Sequence, residues 1–236
     1  MKYLIELHTH TSGVSPCAHH TPEEVVDLYC ANGYSSLVLT NHYTGPILRK
    51  AGESWEEQAD HYLSDYFRMR EYAGGKLCIL LGMELRFEED GGNDYLVFGV
   101  TESFIRENPY LYTMDLKTFS PLAKENGLLI VQAHPFRNKM RIANPDYLDG
   151  YEVFNGHPNH EARNDIALEW CRRYHKIPTS GTDFHHRGSG TVGGIVTEEP
   201  ILSVQQLTDV LRRRAYSLRC SGTAAERDGM TDMESF

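Results

Sequence analysis

The chain has 236 residues, 40% of them hydrophobic and 24% charged, with a formal net charge of −10. This describes an ordinary globular protein with enough chain to bury a sizeable core, as one large domain or two small ones. The acidic balance argues against passive binding of nucleic acid through a basic face, and no apolar run approaches the ~20 residues that span a bilayer.

The cysteines, Cys17, Cys30, Cys78, Cys171 and Cys220, are scattered, odd in number and lack a CxxC pair. Reduced thiols in a cytoplasmic protein are expected, rather than a disulfide framework or a zinc knuckle. The opening residues 1–6 lack the long apolar core of a signal peptide. The chain holds 12 histidines, and their placement carries the signal.

Tyr3-Leu4-Ile5 starts a strand that runs into Leu7-His8-Thr9-His10-Thr11. In extended backbone His8 and His10 point to the same face. A loop with Gly13, Pro16, Cys17, His19 and His20 follows. Thr21-Pro22-Glu23-Glu24 then opens a helix, with a hydroxyl N-cap, proline at N1 and acids in the first turn. Asn32-Gly33 ends it. A mostly apolar strand over 35–40 runs into Asn41-His42, which completes a βαβ unit.

Residues 44–53 read as a loop, and 55–72 as a long amphipathic helix ended by Gly74-Gly75. A strand over 77–83 carries Glu84 at its end. The acidic, glycine-containing stretch 88–93 leads to a strand over 94–100, so that the two strands form a hairpin or a neighbouring pair. A helix over 115–125 closes at Asn126-Gly127. A strand over 128–132 runs into Ala133-His134-Pro135, and one over 151–154 ends at Asn155-Gly156-His157. A helix is expected over 160–175, with Ile166, Leu168, Trp170 and Cys171 at its buried side. A strand over 177–181 runs into Thr182-Asp183-Phe184-His185. A further strand over 192–197 and a helix over 203–214 follow. One domain over 1–220 is expected, with 221–236 a poorly ordered tail.

His8, His10, His42, Glu84, His134, Asp183 and His185 each lie just past the C-terminal end of an expected strand. Where strands and helices alternate around a barrel, those ends converge on the face that carries the active site. Each residue alone reads as an ordinary turn or surface group. Together they point to a site for more than one metal ion.

The pattern resembles the PHP family, the polymerase and histidinol phosphatase domain. The matching segments, in the family's order, are His8-Thr9-His10-Thr11, Thr40-Asn41-His42, Gly82-Met83-Glu84, Ala133-His134-Pro135 and Gly181-Thr182-Asp183-Phe184-His185. The resemblance covers about residues 1–220. It implies an α/β fold, a distorted (β/α)7 barrel, holding two or three divalent ions of zinc, manganese or iron.

Carried over by position, the resemblance implies a first metal on His8, His10, Glu84 and Asp183. Glu84 would bridge to a second, shared with His134 and Asp94, where the family often has histidine. His42 and His185 would hold a third, with one ligand from the loop after the first strand. Here the chain departs from the family: Cys17, His19 and His20 all stand as candidates, with His19 favoured and Cys17 next. Asn41 stands where the family usually has Asp, and can still orient His42 by hydrogen bonding.

The implied activity is hydrolysis of a phosphate monoester on a small metabolite or nucleotide. A metal cluster lowers the pKa of a bound water to about 7 and clamps the phosphoryl oxygens. His157 and His185 are the candidate proton donors. Arg86, Arg137 and Arg187 are candidate phosphate ligands, and Asn155 a candidate pocket residue. Two other readings stand beside this one: a phosphodiesterase or exonuclease, and a non-catalytic barrel stabilised by metal. The expected partner is a small phosphorylated substrate, with neither membrane nor nucleic acid. The sequence says nothing of oligomeric state.

Overall fold

The structure, a computed structural model, describes residues 2–186 and 192–220. Arg187 and the expected tail, 221–236, lie outside the described residues. The strands are β1 (Tyr3–Thr9), β2 (Ser36–Leu39), β3 (His42–Tyr43), β4 (Cys78–Leu81), β5 (Met83–Leu85), β6 (Tyr95–Phe98), β7 (Leu129–Gln132), β8 (Gly150–Asn155), β9 (Ile177–Gly181), β10 (Ile195–Thr197) and β11 (Ser217–Leu218). The helices are α1 (Pro22–Ala31), α2 (Gly45–Ala51), α3 (Trp55–Ala73), α4 (Glu102–Glu107), α5 (Leu116–Glu125), α6 (Asn164–Arg173) and α7 (Val204–Arg213).

Two sheets form, ordered β11-β10-β1-β2-β4 and β3-β5-β6-β7-β8-β9. Parallel β2 and β4 break at Thr40 and Gly82 and resume as parallel β3 and β5, with His42 opposite Glu84. The two sheets are thus joined through continuous chain on one side. On the other, β9 returns to β1 through a single parallel bridge, Thr9 to Phe184, and the backbone N–H of His10 donates to the Phe184 carbonyl at 3.3 Å. The path β1, β2/β3, β4/β5, β6, β7, β8, β9 is a ring of seven strands, which is the distorted barrel expected. Part of the distortion is β6, antiparallel to both β5 and β7. The rest is the lower half of β1, which pairs antiparallel with β10, Tyr3 opposite Thr197.

Local chemistry accounts for most elements. α1 begins at a capping box in which the Thr21 side chain accepts the Glu24 N–H and Glu24 returns to the Thr21 backbone, and Ser54 and Glu57 do the same for α3. Each satisfies two of the N–H groups that a helix start leaves open. Gly74 ends α3 in left-handed backbone, φ 54°. Gly82 stands at the break between β4 and β5, where a Cβ would lie 2.7 Å from Val38 Cγ1.

Three segments differ from the sequence reading. Residues 45–51 form α2, not loop: Leu48 is fully buried and the Arg49 guanidinium lies 5.2 Å above the Tyr112 ring, so tertiary packing overrides a weak local signal. Helix α4 was not foreseen at all. Helix α6 starts at Asn164, because Arg163 adopts left-handed backbone, φ 52°, and the Asn164 side chain accepts the Asn155 N–H. Ile166 is 43% exposed, and Ala167, Leu168 and Cys171 face inward instead.

One apolar cluster gathers Ile5, Leu7, Val38, Leu80, Phe98 and Leu129 with Leu207 and Leu211 of α7. It fills the end of the ring opposite the histidines. No helix among the described residues is long and apolar enough to cross a membrane.

Candidate metal centre

His8 and His10 share one face of β1 and its continuation, both fully buried, with ring centroids 5.1 Å apart. β3 and β5 bring His42 Nδ1 to 2.5 Å from Glu84 Oε2. His134 follows β7 and places Nε2 3.2 Å from Glu84 Oε1. Asp183 follows β9 and places Oδ1 3.4 Å from His8 Nε2 and 3.3 Å from His10 Nε2. Neither His134, φ 29°, nor Asp183, φ 50°, is glycine, yet both sit at positive φ, a strain worth about 1–3 kcal/mol each.

Three overlapping groups result: His8, Glu84 and His134; His8, His10 and Asp183; and His10, His42 and His185. Within each, the candidate ligand atoms all lie within 4.8 Å of one another. His8 Nε2, His10 Nε2, His42 Nδ1 and Glu84 Oε2 are buried without a hydrogen bond. Orphaned acceptor atoms that face each other are costly unless something binds between them. Imidazole nitrogen with carboxylate oxygen is a donor set suited to zinc, manganese or iron, so these residues fit a multinuclear cation centre.

The electrostatics agree. Burial pushes the Glu84 carboxyl up, but His42 and His8 outweigh it and hold it well below the usual carboxylate range. Burial likewise opposes, and His8 with His10 prevails, at Asp183. Burial lowers His8, yet Asp183, Glu152 and Glu84 raise it well above the ordinary imidazole value. Burial, with His185 and His42 nearby, takes His10 well below it.

The loop after β1 brings Cys17, and not His19, to the cavity wall. Its turn, with the Ala18 N–H on the Ser15 carbonyl at 2.9 Å and the His19 N–H on the His185 carbonyl at 2.8 Å, leaves both side chains exposed, with His19 beside His186. Cys17 is the loop residue that meets His42 and His185: burial pushes its thiol up, but hydrogen bonds to His185 and His42 bring it down to about 6. His20 pairs with Glu24. The Asn41 side chain hydrogen-bonds to Ser15 and Thr11 rather than to the His42 ring. Its Oδ1 accepts the Ser15 hydroxyl at 2.9 Å and the Thr11 N–H at 2.8 Å, and Ser15 Oγ accepts the His42 N–H at 3.0 Å.

Asp94 falls in none of the three groups. The β5–β6 hairpin sets it across from Arg86, whose Nε and Nη2 donate to its two oxygens at 2.7 and 2.8 Å. Arg137 adds a third contact at 3.3 Å. Asp94 therefore anchors two guanidinium groups, 3.9 Å from His134 Nε2.

A cavity of about 590 Å³ opens over these residues, with Cys17, Glu84, Arg86, Arg137, Asp183 and His185 in its wall. Asn155 and His157 are not in that wall. The Asn155 amide is taken up by Glu152 and Asp183, at 3.0 and 3.1 Å, which makes it a buried tie rather than a substrate contact. His157 Nδ1 accepts the Asn159 N–H, and burial pushes the ring down to about 4.

Sequence reasoning missed Glu152, Glu6 and Asp65. Each is fully or almost fully buried. The one available signal was an acid at a core position, in strands at Glu6 and Glu152 and on the inner face of α3 at Asp65.

An α/β ring with its titratable groups gathered at the strand ends defines a class of fold in which such a cluster is the working end. The PHP domain family model matches residues 6–211, and the chain belongs to that family. Two solved structures share the fold. A two-domain protein from Bacteroides vulgatus, containing a predicted PHP-like metal-dependent phosphoesterase, superposes with a TM-score of 0.70 at 17% identity, over 93% of this chain and 65% of its own. PsfC from Pseudomonas syringae superposes with a TM-score of 0.68 at 14% identity, over 99% of this chain and 96% of its own. This chain thus spans about two thirds of the first. A search of curated proteins gave no match.

Proposed function

We propose that the protein is a metal-dependent phosphoric ester hydrolase that cleaves a phosphate monoester of a small metabolite or nucleotide. The observation that carries this reading is the set of three overlapping groups of buried and half-buried His, Glu and Asp at the floor of a cavity walled by two arginines.

His8, His10 and Asp183 would hold one divalent ion, His8, Glu84 and His134 a second, and His10, His42 and His185, with Cys17 beside them, a third. Zinc, manganese or iron bound there supplies Lewis acidity and lowers the pKa of a bound water toward neutrality. Arg86 and Arg137 bind phosphoryl oxygens, and Asp94 locks the Arg86 fork in place, so little side-chain entropy is lost when substrate arrives. His185 faces the cavity. With the third site empty, burial opposes its protonation but Cys17 and Asp183 hold its pKa above the ordinary value, and it is then the better-placed proton donor; with an ion on that site it serves as ligand only. His157, buried and out of the wall, is neutral at pH 7 and serves as a neighbour of His185, with ring centroids 5.2 Å apart. The formal net charge of −10 favours a small ester over a nucleic acid.

Elemental analysis of the purified protein, followed by assay on a panel of phosphate esters, tests the reading. Two or three bound divalent ions, hydrolysis lost to a chelator and regained with Mn²⁺ or Zn²⁺, and a faster rate on a nucleotide monoester than on an oligonucleotide are expected. A metal-replete protein that hydrolyses nothing in the panel would sink it.

A further inference from the structure

Glu152 stands in the middle of β8, a strand buried along its whole length. Its Oε1 lies 2.8 Å from His8 Nδ1. Its Oε2 accepts the backbone N–H of His134 at 2.8 Å and the Asn155 amide at 3.0 Å, and the same amide nitrogen reaches Asp183 Oδ2 at 3.1 Å. One carboxylate therefore touches His8 and His134 directly and Asp183 through a single amide, and these three come from the ends of β1, β7 and β9.

An ionised carboxylate only accepts, so Nδ1 of His8 is the donor and the ring's lone pair lies on Nε2. Nε2 is the atom that faces Glu84 and Asp183, at 3.3 and 3.4 Å. The bonds to the His134 N–H and, through Asn155, to Asp183 act on two of the non-glycine residues held at positive φ, where surrounding contacts must over-determine the backbone. An apolar residue would fill a buried strand position at less desolvation cost. Orientation supplies a physical reason for an acid there. Gly181 completes the arrangement: a Cβ at that position would sit 2.4 Å from His8 Cβ and 2.9 Å from Glu152 Oε1.

We infer that Glu152 is the positioning residue of this centre: it sets the tautomer of His8 and holds His134 and, through Asn155, Asp183, so that the three present their ligand atoms together. For its bearing on the reaction this rests on the hydrolase reading above; for cation binding it does not.

Zinc is the probe. Glu152→Gln keeps the volume but faces His8 Nδ1 with an amide N–H, which drives the ring proton to Nε2 and blocks the ligand atom. Metal-free wild type and variant are titrated with Zn²⁺ against a chromophoric chelator, and the ¹⁵N shifts of the His8 ring are read in zinc-loaded wild type. Outer partners of ligating histidines typically contribute 10- to 100-fold to affinity, so a loss of about that size is expected at the tightest site, with near-UV circular dichroism unchanged. The wild-type spectrum is expected to show Nδ1 protonated and zinc on Nε2. Zinc affinity in the variant within about threefold of wild type overturns the inference, as does zinc on Nδ1 of His8. Should the variant not fold, the wild-type spectrum decides alone. Aryl phosphate hydrolysis on the same samples separates the two readings. A zinc-loaded wild type that hydrolyses nothing defeats the hydrolase reading and leaves Glu152 standing. Hydrolysis with unchanged zinc affinity in the variant does the reverse.

Discussion

At the scale of single residues, the site is ordered by buried groups that do not themselves face the cavity. Glu6 is the clearest. Its Oε1 accepts three backbone N–H groups, from Leu7, His8 and Thr182, at 3.0, 2.9 and 2.9 Å, and so stitches β1 to the chain after β9 directly under His8 and Asp183. Burial pushes its carboxyl up to about 7, against the pull of those N–H groups and His8. The folded state therefore keeps this proton to a higher pH than the unfolded chain does. Its contribution to stability is complete below the ordinary carboxyl value of 4.5 and is lost as pH rises through about 7. The gap corresponds to roughly 3 kcal/mol at most. Glu6→Gln retains an acceptor oxygen and has no proton to lose. Thermal melts of the two proteins in the same metal state should coincide near pH 4.5 and diverge at pH 8, with the glutamine form melting higher. A variant that melts lower by the same amount at both values would refute this account.

The elements show where local signals suffice and where they fail. Thr21 and Ser54 announce α1 and α3 through capping chemistry that needs only a few neighbouring residues. Asn164 does not announce α6 in the same way, because its side chain serves the backbone of Asn155 on a neighbouring strand. The loop residues divide likewise: spacing left Cys17, His19 and His20 open, and the turn at Ser15 aims Cys17 at His42 and His185. β9 places a sharper demand. Gly181 lies against His8 and Glu152, so Gly181→Ala should force both apart. A destabilisation of about 1–3 kcal/mol is expected from overpacking alone, together with weaker zinc binding, and a zinc titration beside a denaturant melt checks both. An alanine variant with wild-type affinity and stability would show that the strands are free to separate there.

For the molecule as a whole, the centre joins the two sheets. His8 and His10 lie on β1 and its continuation in one, while His42 and Glu84 lie on β3 and β5, and His134 and Asp183 just past β7 and β9, in the other. Their closure away from the β2–β5 breaks rests on little ladder hydrogen bonding, with Thr9 and Phe184 as the bridge. A cation bound across that seam binds the folded state and not the unfolded one, and stabilises it by mass action, about 2.7 kcal/mol at a hundredfold excess over Kd. Removing metal with a chelator should lower the melting temperature by several degrees as well as abolish hydrolysis, and readdition should restore both. Calorimetry with and without chelator measures this; an unchanged melting temperature would mean that the seam holds without the cation.

The sequence by itself showed most of the strands and the placement of seven titratable residues at their ends, through hydrophobic periodicity, caps and short motifs, which are properties of neighbours in the chain. The family and the seven-stranded barrel came from the resemblance those motifs carry. The tertiary structure alone decided the rest: that Asp94 anchors Arg86 and Arg137, that Cys17 and not His19 lines the cavity, that Asn155 is buried, and that Glu152 links His8, His134 and, through Asn155, Asp183. Each of these depends on which side chains from distant strands stand across from one another. That is set by strand register and by desolvation in the closed ring, and neither is encoded in local spacing.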